Sequence, residues 1–179
     1  MPSERALLRA SRQIPDWTCH FTYRSDGVLL HNERPGTERL TLLWNKRWAN
    51  QPTRTVIHGY RSVNVGRLPY KCARIIWEMH NGPIPFGCVI DHANGDTLDD
   101  RIENLRCATR MENCRNRAIG RNNTSGLKGV SKHGKKWRAM ISIGTGKQKQ
   151  LGTFRCPTAA HFAYIAAAKI NHGEFARFQ

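Results

Sequence analysis

The chain has 179 residues, with 29 Lys+Arg against 13 Asp+Glu, a formal charge of +16 and 39% hydrophobic residues. That length holds one medium domain or two small ones, and a pI near 10.3 calls for a polyanionic partner, nucleic acid before membrane. No long apolar run or basic amphipathic helix points to a membrane, the N-terminus lacks the apolar core of a secretory signal, and six cysteines without a C-x-x-C pair read as free thiols in a reducing cytoplasm.

In chain order, residues 1–55 open with a polar head of open structure and role, then two strand-like runs, "VLLH" and "LTLLW". "GYRSVNV" (59–65) alternates as a strand does. In "YKCARIIWEMHNG" (70–82), Cys72, Ile75, Ile76 and Met79 recur at helical spacing, and Asn81-Gly82-Pro83 ends the helix. "GCVID" suits a buried strand, "NGD" a tight turn, and Thr109-x-x-Glu112 a capping box opening a helix that carries Asn113. "GRNNTSG" (120–126) reads as a linker or turn. Beyond it, "LKGVSK", "KWRAMISI" and "KQKQLGTF" are strand candidates, and a helix runs from Pro157 to near Gly173. Phe162, Ile165 and Ile170 are expected to lie against the sheet together with the helix alanines. The expected division is 1–55, a central domain over 56–119, a linker over 120–125 and a last domain over 126–179.

Residues 89–113 hold six acids (Asp91, Asp96, Asp99, Asp100, Glu103, Glu112), three Asn and a single His. A calcium loop fails: Gly95 at its sixth place puts Ile90 at the first and Arg101 at the twelfth, and neither coordinates. A solvated turn accounts for Asp96, Asp99 and Asp100, facing water or pairing with Arg101. A catalytic metal site accounts for the rest if a hairpin and a crossing helix converge Asp91, His92, Asn104 and Asn113. Phosphodiester hydrolysis needs a base for water and a cation for the charge that builds on phosphorus. A neutral imidazole supplies the first near pH 7, and one carboxylate with one amide oxygen suits a hard ion.

The run "IDHANGDTLDDRIENLRCATRMENCRN" resembles the HNH endonucleases, the ββα-metal nucleases, in the branch with a His–Asn–Asn triplet found in phages and homing elements. The likeness covers about residues 55–118. It implies one divalent ion, Mg²⁺ or Mn²⁺, held by Asp91 and Asn113, with His92 as general base and Asn104 locking the hairpin and orienting His92. Asp100 stands where the family pattern has Asn, and Ala73 where many relatives place His. Arg74, Arg101, Arg106, Arg115 and Arg117 are expected to contact DNA around this module.

From Cys114 to Gly173 there are twelve basic residues and no acid, a field with no internal compensation. Lys128-Gly129-Val130, Trp137, Ala139, Ile141, Leu151-Gly152-Thr153-Phe154, Ala163-Tyr164 and Gly173 resemble the plant ethylene-response-factor (Apetala-type) DNA-binding domain over 125–176. The resemblance implies three strands reading the major groove, backed by one helix. Lys128, Lys132, Lys136, Arg138, Ser142, Lys147 and Lys149 are the expected contacts, with Trp137 in the core.

The fold expected is α+β: a ββα-metal HNH module followed by a small three-stranded antiparallel sheet packed on one helix. The function expected is a metal-dependent endonuclease of phage or homing type that nicks double-stranded DNA, a monomer or a dimer, in the host cytoplasm. The alternative is a non-catalytic DNA-binding regulator that retains an HNH fold.

Overall fold

A computed structural model describes residues 15–66, 68–144 and 146–178; residues 1–14 of the polar head lie outside them. The chain divides into two compact units, Met1–Cys107 and Ala108–Gln179.

In the first unit, a 3-10 turn at Trp17–Cys19, capped by the Asp16 side chain, leads into an antiparallel hairpin of β1 (Phe21–Arg24) and β2 (Val28–His31). The "VLLH" strand is therefore present. "LTLLW" is not a strand but lies in a helix, α1 (Arg39–Trp48), which corrects the expectation. Leu40, Leu42 and Leu43 remain exposed, so no buried strand face selects them, and Leu, Lys and Arg are good helix formers. Then come β3 (Val56–Ile57), β4 (Tyr60–Val65) and β5 (Leu68–Lys71) in one antiparallel sheet. The helix α2 (Cys72–Asn81) follows, ending at Gly82 with φ +76°.

The core of this unit joins Trp17, Phe21 and Leu29 of the N-terminal segment to Val63, Cys72, Ala73, Ile75, Ile76 and Leu105. Residues 15–32 thus share one core with the central module, where the sequence suggested a region apart. Ala73, at the position where relatives place His, fills this core.

β6 (Cys88–His92) and β7 (Leu105–Thr109) form a two-stranded sheet, and α3 (Arg110–Arg115) begins directly after β7. The capping box is complete: the Thr109 hydroxyl accepts from the Glu112 N–H, and the Glu112 carboxylate accepts from the Thr109 N–H. The unit boundary falls inside β7, earlier in the chain than residue 119.

The second unit contains the antiparallel sheet β10 (Lys147–Phe154), β9 (Lys136–Gly144), β8 (Val130–His133), in that spatial order. The helix α4 (Pro157–His172), with Pro at its start, packs on it through Ala160, Tyr164, Ala168 and His172, spaced four apart. Phe162 and Ile170 are 66% and 85% exposed, so of the three large residues expected at the sheet only Ile165 packs there. Small alanines bring the helix close, and Gly129 (φ +75°) admits the Tyr164 ring where a Cβ would overlap it. The stretch read as a linker or turn is a hydrogen-bonded loop. Asn123 donates to Leu127 O (2.9 Å) and accepts from the Ser125 and Gly126 N–H groups (2.9 and 2.8 Å). Such Asx chemistry binds the loop onto the start of β8.

Candidate active site and nucleic-acid interface

The turn between β6 and β7 is built by its own side chains. Asn94 Nδ2 donates to Asp99 Oδ2 (2.8 Å), and its Oδ1 accepts from the Asp96 N–H (2.8 Å). Asp96 Oδ1 accepts from the Leu98 N–H (2.9 Å), and Asp99 forms two 2.8 Å bonds with Arg101. The Arg101 guanidinium holds the Asp99 carboxyl well below the usual carboxylate range. Asp96 and Asp99 are thus turn acids, as the sequence suggested. Asn104 Oδ1 accepts from the Asn94 N–H (3.0 Å), its Nδ2 donates to Asp99 O (2.7 Å), and its carbonyl accepts from the Ala93 N–H (2.8 Å). Three bonds from one residue tie the returning strand to the turn, which is a hairpin-locking role.

Asp100 differs from its acidic neighbours. It is 1% exposed and its Oδ1 lies 2.8 Å from His92 Nε2, with His92 itself 4% exposed. Its other oxygen, Oδ2, is buried with no hydrogen-bond partner among the described residues. The expectation that Asp100 faces water or pairs with Arg101 is therefore corrected. A neutral imidazole whose Nε2–H is donated to Asp100 has Nδ1 as its basic nitrogen. Sequence reasoning passed over this residue; the available signal was a carboxylate standing where the family pattern has an amide.

Asp91, buried beside His92, accepts from Arg106 through both Nε and Nη2, each 2.9 Å from Oδ2. Arg106, expected on DNA, is thus the counter-ion of Asp91, and its charge compensates that buried carboxylate. Asn113 lies on α3, in the second unit. Among the described residues no group of three His, Cys, Asp or Glu is arranged to hold a metal. The Asp91 carboxylate nevertheless offers the hard oxygen donor that Mg²⁺ takes, an ion that keeps several waters and accepts substrate phosphate oxygens as further ligands.

The N-terminal hairpin abuts this site. Gly27 (φ +83°) sits where a Cβ would come within 2.5 Å of the Arg101 backbone nitrogen. The Tyr23 hydroxyl accepts from the Ile102 N–H (3.1 Å). These contacts brace the segment that carries Asp100, and nothing in the local motif announces them.

Of the other basic residues, Arg74 forms a long ion pair with Glu78 (3.8 Å), and Arg117 is exposed while Arg115 is half-buried. Lys128 departs from its expected role. Its ammonium donates to the carbonyls of Arg115 (2.8 Å) and Arg117 (2.7 Å), capping the end of α3. Burial, with the positive charge of Arg177 adding to it, moves the Lys128 pKa down to about 8.

The sheet register sorts the remaining candidates. Lys132 opposes Trp137 and Lys149 opposes Ile141, so both follow the helix-packed face, at its exposed margins. Ser131, Arg138, Ser142 and Gln148 pair on the opposite face, together with Lys136 and His133. Trp137 packs into the core with Val130 and Ala139. Arg138 Nε is buried with no hydrogen-bond partner among the described residues. Lys147, exposed, starts β10.

Among the described residues no helix is long and apolar enough to cross a membrane. An HNH endonuclease family model matches residues 70–115, which takes in the end of β5, α2, β6, the turn, β7 and α3. No solved structure matches the chain. Protein 3.8 of Escherichia phage T7 is 40% identical over 106 residues, covering 58% of this chain and 86% of that protein. The chain belongs to the family of that phage protein and contains an HNH endonuclease domain.

Proposed function

We propose that the protein is a metal-dependent DNA endonuclease of the phage or homing HNH type, which hydrolyses one phosphodiester of duplex DNA per active site. The observation that supports it most is the buried pair of His92 and Asp100 next to the Asp91–Arg106 pair at the end of β6. His92, its ring held by Asp100 at Nε2, is the base that takes the proton of the attacking water. Asp100 holds the ring and offsets the positive charge it gains. Asn104 locks the turn that brings Asp100 back to His92. Asp91 would hold a Mg²⁺ or Mn²⁺ ion, with Asn113 as the second ligand on the family pattern. Such an ion, when bound, stabilises the charge on phosphorus and on the departing oxygen. Arg106 orients the Asp91 carboxylate. The second unit, read as a domain of the ethylene-response-factor type, grips the duplex through Lys136, Arg138 and Ser142, with Lys132, Lys147 and Lys149 on backbone phosphates.

One site per chain predicts nicked circles from supercoiled plasmid in Mg²⁺ or Mn²⁺, and none in chelator. His92→Ala slows this by about 10²–10⁴-fold, the usual worth of a general base; wild-type rates in that variant would remove the assignment. The rival, a DNA-binding regulator with a retained HNH fold, draws on one observation, that Arg106 already occupies the Asp91 carboxylate. Tight binding without cleavage of any DNA in any divalent ion would favour it.

A further inference from the structure

The N-terminal segment contains a second constellation that the nuclease chemistry does not use. Between α1 and the stretch that follows β2 lies a cleft of about 630 Å³. That size is within the roughly 300–1,000 Å³ of ordinary ligand sites. Its walls carry Arg34, Arg47 and Arg54, the aromatic rings of Trp44, Trp48 and His31, and no acid. The Arg34 guanidinium lies 3.7 Å above the Trp44 ring and Arg47 4.9 Å from that of Trp48. His31 meets both indoles edge-on, at 5.6 and 6.2 Å.

The walls are held by backbone ties. The Asn45 side chain accepts from the Arg34 N–H (2.9 Å) and donates to the Arg34 carbonyl (3.0 Å), closing the loop onto α1. The His31 N–H donates to Gln51 O (3.0 Å), and the His31 carbonyl accepts from the Asn50 N–H (2.7 Å), with Asn50 at φ +60°. Yet α1 buries none of its residues. A helix held in place for its own packing buries an apolar stripe, and this one instead presents a basic, aromatic face to the cleft. Burial and Arg34 lower the His31 pKa, so its ring is a neutral surface at physiological pH.

We infer that this cleft binds single-stranded DNA, a base stacking on Trp48 and phosphates lying on Arg34, Arg47 and Arg54. Positive charge interleaved with aromatic faces is the chemistry of single-strand recognition. A duplex keeps its base faces stacked away from Trp48, so only an unpaired base can use them. Trp48 is 41% exposed, which leaves its ring open to such a base. The choice of DNA over RNA rests on the nuclease reading above; the cleft itself does not.

The test is fluorescence anisotropy of a labelled oligothymidylate with the full chain in EDTA, against a blunt duplex of the same length. Trp48→Ala should weaken oligothymidylate by about tenfold or more, within the roughly 1–3 kcal/mol that one stacking platform contributes, and Arg47→Glu and Arg54→Glu should each weaken it by about tenfold through lost phosphate attraction. Their affinity for the duplex should hold, because the basic sheet of the second unit is intact. Arg47 and Arg54 are exposed, so their variants serve if Trp48→Ala unfolds by circular dichroism. Wild-type affinity in all three variants overturns the proposal. An equal loss on the duplex assigns the cleft to duplex backbone, and equal competition by oligouridylate or polyglutamate assigns it to RNA or an acidic protein; each overturns it as well. Binding is read without metal, so its failure leaves the nuclease standing, while a chain that binds but never nicks keeps the cleft and loses the nuclease.

Discussion

The two-stranded sheet of β6 and β7 and the antiparallel sheet of β8 to β10 use polar side chains in opposite ways. In the hairpin, the side chains of Asn94, Asp99, Asp100 and Asn104 bind one another, the backbone or His92, and Asp100 and Asn104 are buried. In the sheet, Lys132, Lys136, Ser142, Lys147 and Lys149 are exposed. A reacting geometry has to be fixed before the substrate arrives, because disorder at the base costs rate directly. A phosphate-binding face gains from mobile, hydrated charge that releases counter-ions on contact. Substitutions in the hairpin should therefore change rate, and substitutions in the sheet should change affinity.

The largest effects should come from one glycine in each unit. Gly27 and Gly129 both have left-handed backbones, φ +83° and +75°. A side chain there costs about 1–2 kcal/mol before any clash. At Gly27 the added Cβ meets the backbone of Asp100 and Arg101, and at Gly129 it meets the buried Tyr164 ring, neither of which can yield. We expect each Ala variant to lose about 3 kcal/mol or more. Thermal melts followed by circular dichroism and plasmid nicking separate the two. Gly27→Ala should lose nicking at temperatures where it is still folded, since it presses on the segment that carries Asp100. Gly129→Ala should lose DNA affinity first. The same order of failure in both variants would erase the distinction between the units.

Much of this was legible from local pattern. The helical spacing of Cys72, Ile75, Ile76 and Met79, the Thr109–Glu112 capping box and the three strands of the second unit depend on neighbouring residues, and they stand in the structure. What the sequence hid depends on contacts distant along the chain. Tyr23 reaches Ile102 across 79 positions. The burial of Trp17, Phe21 and Leu29 against α2 merges the N-terminal segment into the central core. "LTLLW" misled because hydrophobicity without a period does not separate a strand from a helix. At the site, Asp91, His92 and Asn104 were readable as residue types at a spacing. Their partners Arg106 and Asp100 were not, because a run of acids and arginines looks like a solvated turn until burial divides it.

Asp100 is the next test. Asp100→Ala leaves the buried His92 N–H without an acceptor, a loss of about 1–3 kcal/mol that should appear as a rate decrease of roughly 10–100-fold. Asp100→Asn keeps an acceptor oxygen and restores the amide of the family pattern, so it should recover most of that loss. The rates come from single-turnover nicking, with DNA affinity measured separately and expected to stay constant. If the two variants lose rate equally, the carboxylate acts by its charge alone; if neither loses rate, it has no part in orienting His92.

In the sheet, register provides the comparison. Lys136 and Arg138 lie on the face away from α4, whereas Lys132 and Lys149 follow the helix-packed face at its margins. The double variant Lys136→Ala, Arg138→Ala should weaken duplex binding and lower the salt slope by about 0.9 for each phosphate that is no longer neutralised. The double variant Lys132→Ala, Lys149→Ala should lower the slope less. A titration of affinity against salt reads both. An identical slope in the two would mean that charge count, and not the face, decides binding.

The smallest effect contrasts one cysteine from each unit. Cys72 is buried in the first core and its thiol is pushed up to about 11, chiefly by burial. Cys156 is exposed at the start of α4, where bonding from the Ala159 N–H, with help from Thr158, lowers its thiol. The thiolate is the species that attacks a disulfide reagent, and a lowered pKa enlarges its share at pH 8. A chromogenic disulfide should therefore react with Cys156 quickly and with Cys72 only as the first unit opens. Cys156→Ser should shrink the fast phase, to which the exposed Cys19 and Cys114 also contribute, and Cys72→Ser should remove a slow phase that grows as temperature approaches the melting transition. Should Cys72 react as fast as Cys156 in the folded protein, the first core is looser than its burial implies, and the rigid setting assigned to His92 and Asp100 is lost with it.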